Sequence, residues 1–318
     1  MLDSESNPNF NFPKYLDIQP STFSVAKDSS TLSSIYGHES QKQAIETYGI
    51  AGRVWEAAYI LNIYLNPPSN LIFNPAFSYE EKRKSIRIIE LGSGSGMVGI
   101  NVALSLKLQL GDRLVLTDLS EVCPLLEGNL EAGCKDPNLR DLIYVRPLAW
   151  GNSEHANRIR SELVADQRSH CPPLTHILCS DLVYFPELLA PLLRTLIDLT
   201  SRPFASPQLE VLISYKIRSL PKETPFWAAF GLWFTYEPVL VREHLPDSSL
   251  SSWRRFGSAF EGPMFIFIAR RRPESLEWII PSEDNDLLAG FGAYGTMHPK
   301  VDDTFENILF MSLGDTTE

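Results

Sequence analysis

The hydrophobic pattern of the chain changes character near residue 50. Residues 1–34 are rich in Ser, Asn and Pro with few large apolar clusters, which predicts a flexible lead-in. The stretch AGRVWEAAYILNIYL (Ala51–Leu65) then repeats apolar residues at helical spacing until Asn66, Pro67 and Pro68 stop it. A polar connector containing EEKRK (Glu80–Lys84) follows. Beyond it, β-like runs at 86–91, 113–118, 142–147, 175–181 and 209–216 alternate with helical candidates at 97–108, 121–132, 186–200 and 222–232. Strands spaced by helices predict βαβ crossovers and a parallel sheet buried on both faces. Two further β-like runs, 234–240 and 263–271, have no helix between them and predict an antiparallel pair. The expected fold is α/β, a seven-stranded, mostly parallel sheet with helices on both faces. Residues 151–173 are polar and read as an insertion loop, and 273–318 show no sustained period. The expected organisation is a flexible segment over 1–34, one α/β domain over 35–272 and an acidic extension over 273–318.

Composition narrows the class. The 318 residues are 44% hydrophobic and 21% charged, enough for a sizeable core. Of the net charge of −11, residues 273–318 supply −9, so the rest of the chain is nearly neutral. This balance argues against a nucleic-acid partner, although charge alone does not exclude RNA, and it suits a basic partner protein. Residues 1–20 lack a secretory start, and no run of apolar residues is long enough to span a membrane. Cys123, Cys134, Cys171 and Cys179 form no CxxC pair, so the expectation is a reduced, cytoplasmic monomer. His170, Cys171, His176 and Cys179 match no common zinc spacing, and no metal is expected.

The chemistry concentrates in IIELGSGSGMVGI (88–100). Gly92, Gly94 and Gly96 follow a buried strand and precede a helix, where backbone must turn sharply and approach a ligand closely. A glycine turn alone fits a dinucleotide equally well. Glu90 changes that, because a carboxylate beside the turn repels a pyrophosphate but suits the sulfonium and ammonium of S-adenosylmethionine. Asp118 ends the next strand, where an acid accepts hydrogen bonds from ribose hydroxyls; its alternative is a helix cap. Trp150, after the third strand, offers an aromatic face to adenine, or else fills the core. Trp55 lies on an apolar helical stretch and invites the same comparison.

On the acceptor side, SDLVYFPELL (Ser180–Leu189) places Asp181 at the end of the fourth strand and Tyr184 just beyond. In open α/β sheets this crevice is where substrates meet cofactors. Asp181 can attract and orient a lysine ammonium and Tyr184 can flank it, with capping of the following helix as the alternative. The segment reads D-L-V-Y and not the [DN]-P-P-[YF] of amide and adenine methylation. Tyr215, Lys216 and Arg218 end the fifth strand and are candidates to line an acceptor channel.

Taken in order, VWEAA (54–58), ELGSGSGMVG (90–99), LTD (116–118), LAWG (148–151) and SDLVY (180–184) resemble methyltransferase family 16, the seven-β-strand protein-lysine methyltransferases. The resemblance covers roughly residues 50–271 and implies a Rossmann-like class I methyltransferase fold. It implies cofactor contacts at Trp55, Gly92, Ser93, Gly94, Asp118, Trp150 and Ser180, with acceptor-side roles for Asp181 and Tyr184. Where the family often has Asp after the Trp, this chain has Glu56. The stretches at 118–130, 192–200 and 214–218 look most like the fungal branch that acts on elongation factor 1A. Two alternatives stay open, a small-molecule, nicotinamide-like N-methyltransferase and a non-catalytic binding module on the same fold.

Overall fold

The computed structural model describes residues 16–23, 30–77, 85–164, 173–202, 204–245, 249–258 and 263–314. The EEKRK connector, His170 and Cys171 lie outside them. Three helices lead in, α1 (Ser30–Tyr36), α2 (His38–Tyr48) and α3 (Glu56–Leu65), followed by strand β1 (Leu71–Asn74). The alternating portion runs β2 (Arg87–Leu91), α4 (Met97–Leu106), β3 (Arg113–Asp118), α5 (Cys123–Gly133), α6 (Pro137–Arg140) and β4 (Ile143–Pro147). It continues through α7 (Ser153–Val164), β5 (Leu174–Ser180), α8 (Pro186–Leu199), β6 (Ala205–Lys216) and α9 (Leu220–Trp233). Strands β7 (Phe234–Pro238), β8 (Leu240–Glu243), β9 (Arg254–Arg255) and β10 (Met264–Arg271) follow, and α10 (Asp284–Leu288) and α11 (Thr304–Gly314) come last.

Seven strands form one sheet in the order β4-β3-β2-β5-β6-β10-β7, and β1, β8 and β9 form a small second sheet. The pairs β2 with β3, β3 with β4, β2 with β5 and β5 with β6 are parallel. Strand β10 runs antiparallel to both β6 and β7 and lies between them. The expected antiparallel pair therefore exists, with the later strand inserted inside the earlier one.

Side chains alternate across the strands, and the alternation sorts them into two cores. One face of the sheet collects Ile89, Leu91, Val115, Ile177, Val211 and Phe267. The other collects Ile88, Leu114, Leu116, Leu178, Leu212 and Ile266. Every residue of β2 is buried, as a central parallel strand covered on both faces requires. Because both faces are filled by packing, the carboxyl edge of the sheet is left as the place for a ligand.

Two segments fold more than the sequence predicts. The expected loop at 151–173 contains α7, which buries Ala156, Ile159 and Leu163 at helical spacing against the sheet. Its charged residues hide that sparse stripe. The acidic segment after residue 272 is anchored by Leu287, Ala293 and Phe305, all buried in the first core. Phe305 stacks on Trp227 at 5.0 Å between ring centroids and contacts Phe265 and Phe267 edgewise. Replacing Phe305 by Ala is expected to lower the unfolding free energy in urea titration by about 3–5 kcal/mol, the usual range for deleting a buried ring. A loss below about 1 kcal/mol would mean α11 rests on the core without completing it.

Candidate active site

The carboxyl ends of β2, β3 and β5, with the turn before α3, enclose one cleft of about 760 Å³, within the range of small-molecule and cofactor sites. The ten residues given cofactor or acceptor roles in the sequence line it: Trp55, Glu90, Gly92, Ser93, Gly94, Asp118, Trp150, Ser180, Asp181 and Tyr184. Residues 16–18 of the lead-in also line it, tied down where Arg53 donates to the Gln19 carbonyl and Gln41 accepts from the Ser21 amide.

The glycine turn forms the floor. Gly92 and Gly94 have φ of +54° and +53°, the left-handed region that glycine enters without a Cβ penalty. A Cβ on Gly92 would collide with Leu182 and Trp150, and one on Gly94 would press on the Ala51 carbonyl. These are cradles built without side chains. Ser93 serves the turn itself: its amide donates to the Thr117 carbonyl at 2.9 Å and its hydroxyl accepts from the Thr117 amide at 3.1 Å.

Two acids sit at this floor. Glu90 is 1% exposed, and its carboxylate accepts the Gly99 amide at 3.1 Å. Burial pushes its pKa up to about 8. Asp118 accepts the Gly94 amide at 2.7 Å and the Leu119 amide at 2.8 Å, and burial pushes it up to about 6 despite those bonds. It does not cap α5, whose first turn has no side-chain cap. Buried acids held partly protonated fit a cationic, hydroxyl-bearing ligand, which stabilises their ionised forms.

Aromatic walls flank the floor. Trp150 and Tyr184 meet edge to face at 6.4 Å. Trp55 is not inside the helix but at the residue preceding it, with extended backbone, and its indole nitrogen donates to the Ile50 carbonyl at 3.0 Å. Its ring is flanked by Arg53 and Arg218, 4.5 and 5.1 Å from the centroid.

The acceptor end differs most from expectation. Asp181 has φ of +63°, a left-handed conformation uncommon for a non-glycine residue, and its amide donates to the Ser214 carbonyl. Its carboxylate does not cap α8; Arg218 grips it with two hydrogen bonds. Tyr184 is recessed beside it, and burial raises its phenol well above the usual range. Ser180 and Ser214 hydroxyls meet at 3.3 Å. Of the three candidates ending β6, Arg218 lines the cleft and Lys216 pairs with Glu56 at 3.7 Å. Tyr215 is fully buried and donates to the Glu223 carboxylate, so it does not line an acceptor channel. Glu56 gave no chemical signal in the sequence beyond its departure from the family's Asp; its partners Arg53, Lys216 and Arg218 come from elements that only the fold brings together.

Comparison with known proteins decides the family: the sequence profile of the lysine methyltransferases matches residues 39–229. The chain belongs to the lysine methyltransferase family. Its cofactor is S-adenosylmethionine, and its sheet has the strand order of the Rossmann-like class I methyltransferases. Among similar proteins, protein N-lysine methyltransferase METTL21A of Xenopus tropicalis is 28% identical over 213 residues, 67% of this chain and 82% of that protein. Protein-lysine N-methyltransferase EFM6 of Saccharomyces cerevisiae is 29% identical over 54% of this chain and 65% of its own length. EEF1A lysine methyltransferase 3 of Xenopus tropicalis is 29% identical over 54% of this chain and 59% of its own length. The match thus spans less than two thirds of the latter two. A solved O-methyltransferase from Bacillus cereus aligns with 77% of this chain and 91% of its own at 12% identity and a TM-score of 0.39.

The raised pKa of Glu90 predicts a pH-dependent stability for the cofactor-free protein. Its folded pKa of about 8 exceeds its ordinary 4.5, so the folded state holds the proton more tightly than the unfolded one. The associated stability is complete below about pH 4.5 and is lost as pH rises through about 8. Thermal melting of the cofactor-free protein is expected to fall across that window, and Glu90→Gln to remove most of the slope. An unchanged slope in the variant would move the effect to another group.

Proposed function

We propose that this lysine methyltransferase methylates a lysine of a protein substrate, elongation factor 1A, working as a cytoplasmic monomer without a nucleic-acid or membrane partner. The observation that carries the acceptor side is one continuous cleft, lined by Glu90 and Asp118 and also by Asp181 and Tyr184. The relatives named for protein-lysine and EEF1A methylation support the substrate class. Free Cys123, Cys134 and Cys179 support a reducing compartment. No described helix is long and apolar enough to cross a membrane.

S-adenosylmethionine supplies a sulfonium-bound methyl group, which passes to a neutral amine and leaves S-adenosylhomocysteine. In this proposal Asp118 accepts the ribose hydroxyls, and Glu90 faces the cationic methionine portion. Gly92 and Gly94 admit the nucleoside at close approach, with Ser93 holding their turn to β3. Trp150 flanks the adenine, while Trp55 and Ser180 close the cleft around the methionine end. Asp181 and Tyr184 shape the acceptor end, where the amine must be aligned at about 3–3.5 Å from the methyl carbon.

Two substitutions separate the ends of the cleft. Asp118→Ala is expected to weaken cofactor binding about ten- to hundredfold in calorimetry, matching hydrogen bonds to a charged group. Asp181→Ala should leave that affinity within about threefold while transfer of tritiated methyl to elongation factor 1A collapses. Equal loss of both properties in the Asp181 variant would make it a structural residue. Label appearing on RNA or a metabolite in a cell lysate, with none on protein lysine, would overturn the substrate class.

A further inference from the structure

The acceptor end presents a cation to the cleft. The Asp181 side chain is 1% exposed and that of Arg218 is 30% exposed. The guanidinium covers the carboxylate, with Nη1 at 2.7 Å from Oδ1 and Nη2 at 2.5 Å from Oδ2. Its central carbon lies 5.1 Å from the centroid of the Trp55 ring, which sits on the cleft wall. Burial works against the charge of Arg218, yet Asp181, Glu56 and Glu223 hold its pKa above the ordinary arginine value. It is a fixed positive charge.

We propose that Arg218, positioned by Asp181, keeps the incoming lysine amine unprotonated at the acceptor end of the cleft. This rests on the lysine reading above and revises how Asp181 contributes to it. Methyl transfer needs the nitrogen lone pair, whereas a lysine in water is protonated up to about pH 10.4. A bare carboxylate would stabilise the ammonium and hold that proton in place. A neighbouring cation does the reverse, the same effect that activates lysines beside a second cationic group. The proton leaves to solvent before transfer, and the product nitrogen carries the positive charge that the sulfonium gives up.

Other charges around the pair set the size of the effect. Glu56 of α3 lies 3.8 Å from Arg218, and it also pairs with Arg53 and with Lys216 of β6. Glu223 of α9 accepts the Arg218 amide at 3.2 Å. Asp118 and Tyr184 face the same space from β3 and from the segment after β5, while Asp17 and Glu121 line the cleft. Three cations, Arg53, Lys216 and Arg218, thus stand with three carboxylates, Glu56, Asp181 and Glu223, and of these Arg53, Asp181 and Arg218 line the cleft. Removing one member of either sign shifts the balance in a defined direction.

The test is the pH dependence of kcat at saturating purified elongation factor 1A, which reports ionisation within the bound complex. Arg218→Gln is expected to move the acid limb up by about one pH unit, with rates approaching wild type at high pH. Arg218→Lys should keep the wild-type limb. Glu56→Gln, which removes an anion, should move the limb down. S-adenosylhomocysteine affinity by calorimetry should stay within about twofold in all three. A uniform loss at every pH, or an unshifted limb in Arg218→Gln, overturns the proposal. Should that variant not fold, the Glu56→Gln profile decides alone: a downward shift supports the proposal, and no shift or an upward one overturns it. A wild-type enzyme that labels no lysine on this acceptor sinks the substrate reading instead, before any variant is compared.

Discussion

Placing carboxylates at the ends of two adjacent parallel strands, under a cover of side chains, is the constraint around which the cleft is organised. An ionised acid in such a place needs donors or a counter-charge, because burial alone drives it to its protonated form. The chain supplies donors from its backbone: Gly99 to Glu90, Gly94 and Leu119 to Asp118. Gly94 donates from the turn between β2 and α4, where it holds a left-handed conformation, while Gly99 donates from α4 and Leu119 from the residue after β3. The donors are too few to restore ordinary acidity, and the pKa values of about 8 and about 6 record the shortfall. A cationic ligand removes it. Cofactor choice, turn composition and strand order are therefore one problem with one solution.

The opposite end of the cleft solves a different problem with the same means. There the charges neutralise one another across three elements. Glu56 begins α3, Asp181 follows β5, and Arg218 follows β6, with Arg53 and Arg218 both over the Trp55 ring. Buried acids thus line the cleft at the glycine turn, and an ion pair lines it at Asp181 and Arg218.

Much of this was legible in the sequence, for a local reason. Glu90, the glycines and Asp118 lie within two adjacent β-turn-α units, and their chemistry follows from residues close together along the chain. The central parallel strands showed as short apolar runs because both of their faces are covered, as in β2, while the edge strand β4 is only partly buried. What stayed hidden depends on distance in sequence. Arg218 was legible as a candidate to line the acceptor channel, but its partner Asp181, 37 residues away, was not. Tyr215 looked like its neighbour and points the other way, into the core. Helix α7 carries too few apolar residues to announce itself, and the anchors Leu287, Ala293 and Phe305 are isolated residues without a period. Ser93 was legible as part of the turn but not as a residue whose amide and hydroxyl are both committed to β3.

The insertion of β10 between β6 and β7 has a consequence for how the sheet is assembled. Strand β7 makes its ladder with β10 alone, so it cannot join the sheet beside β6 as it emerges in chain order. It must wait as an unpaired edge until a segment some thirty positions downstream, about the span from Tyr236 to Phe267, slides into the gap. The far edge of the sheet thereby depends on a strand late in chain order, whereas the parallel strands β2 to β6 pair with one another.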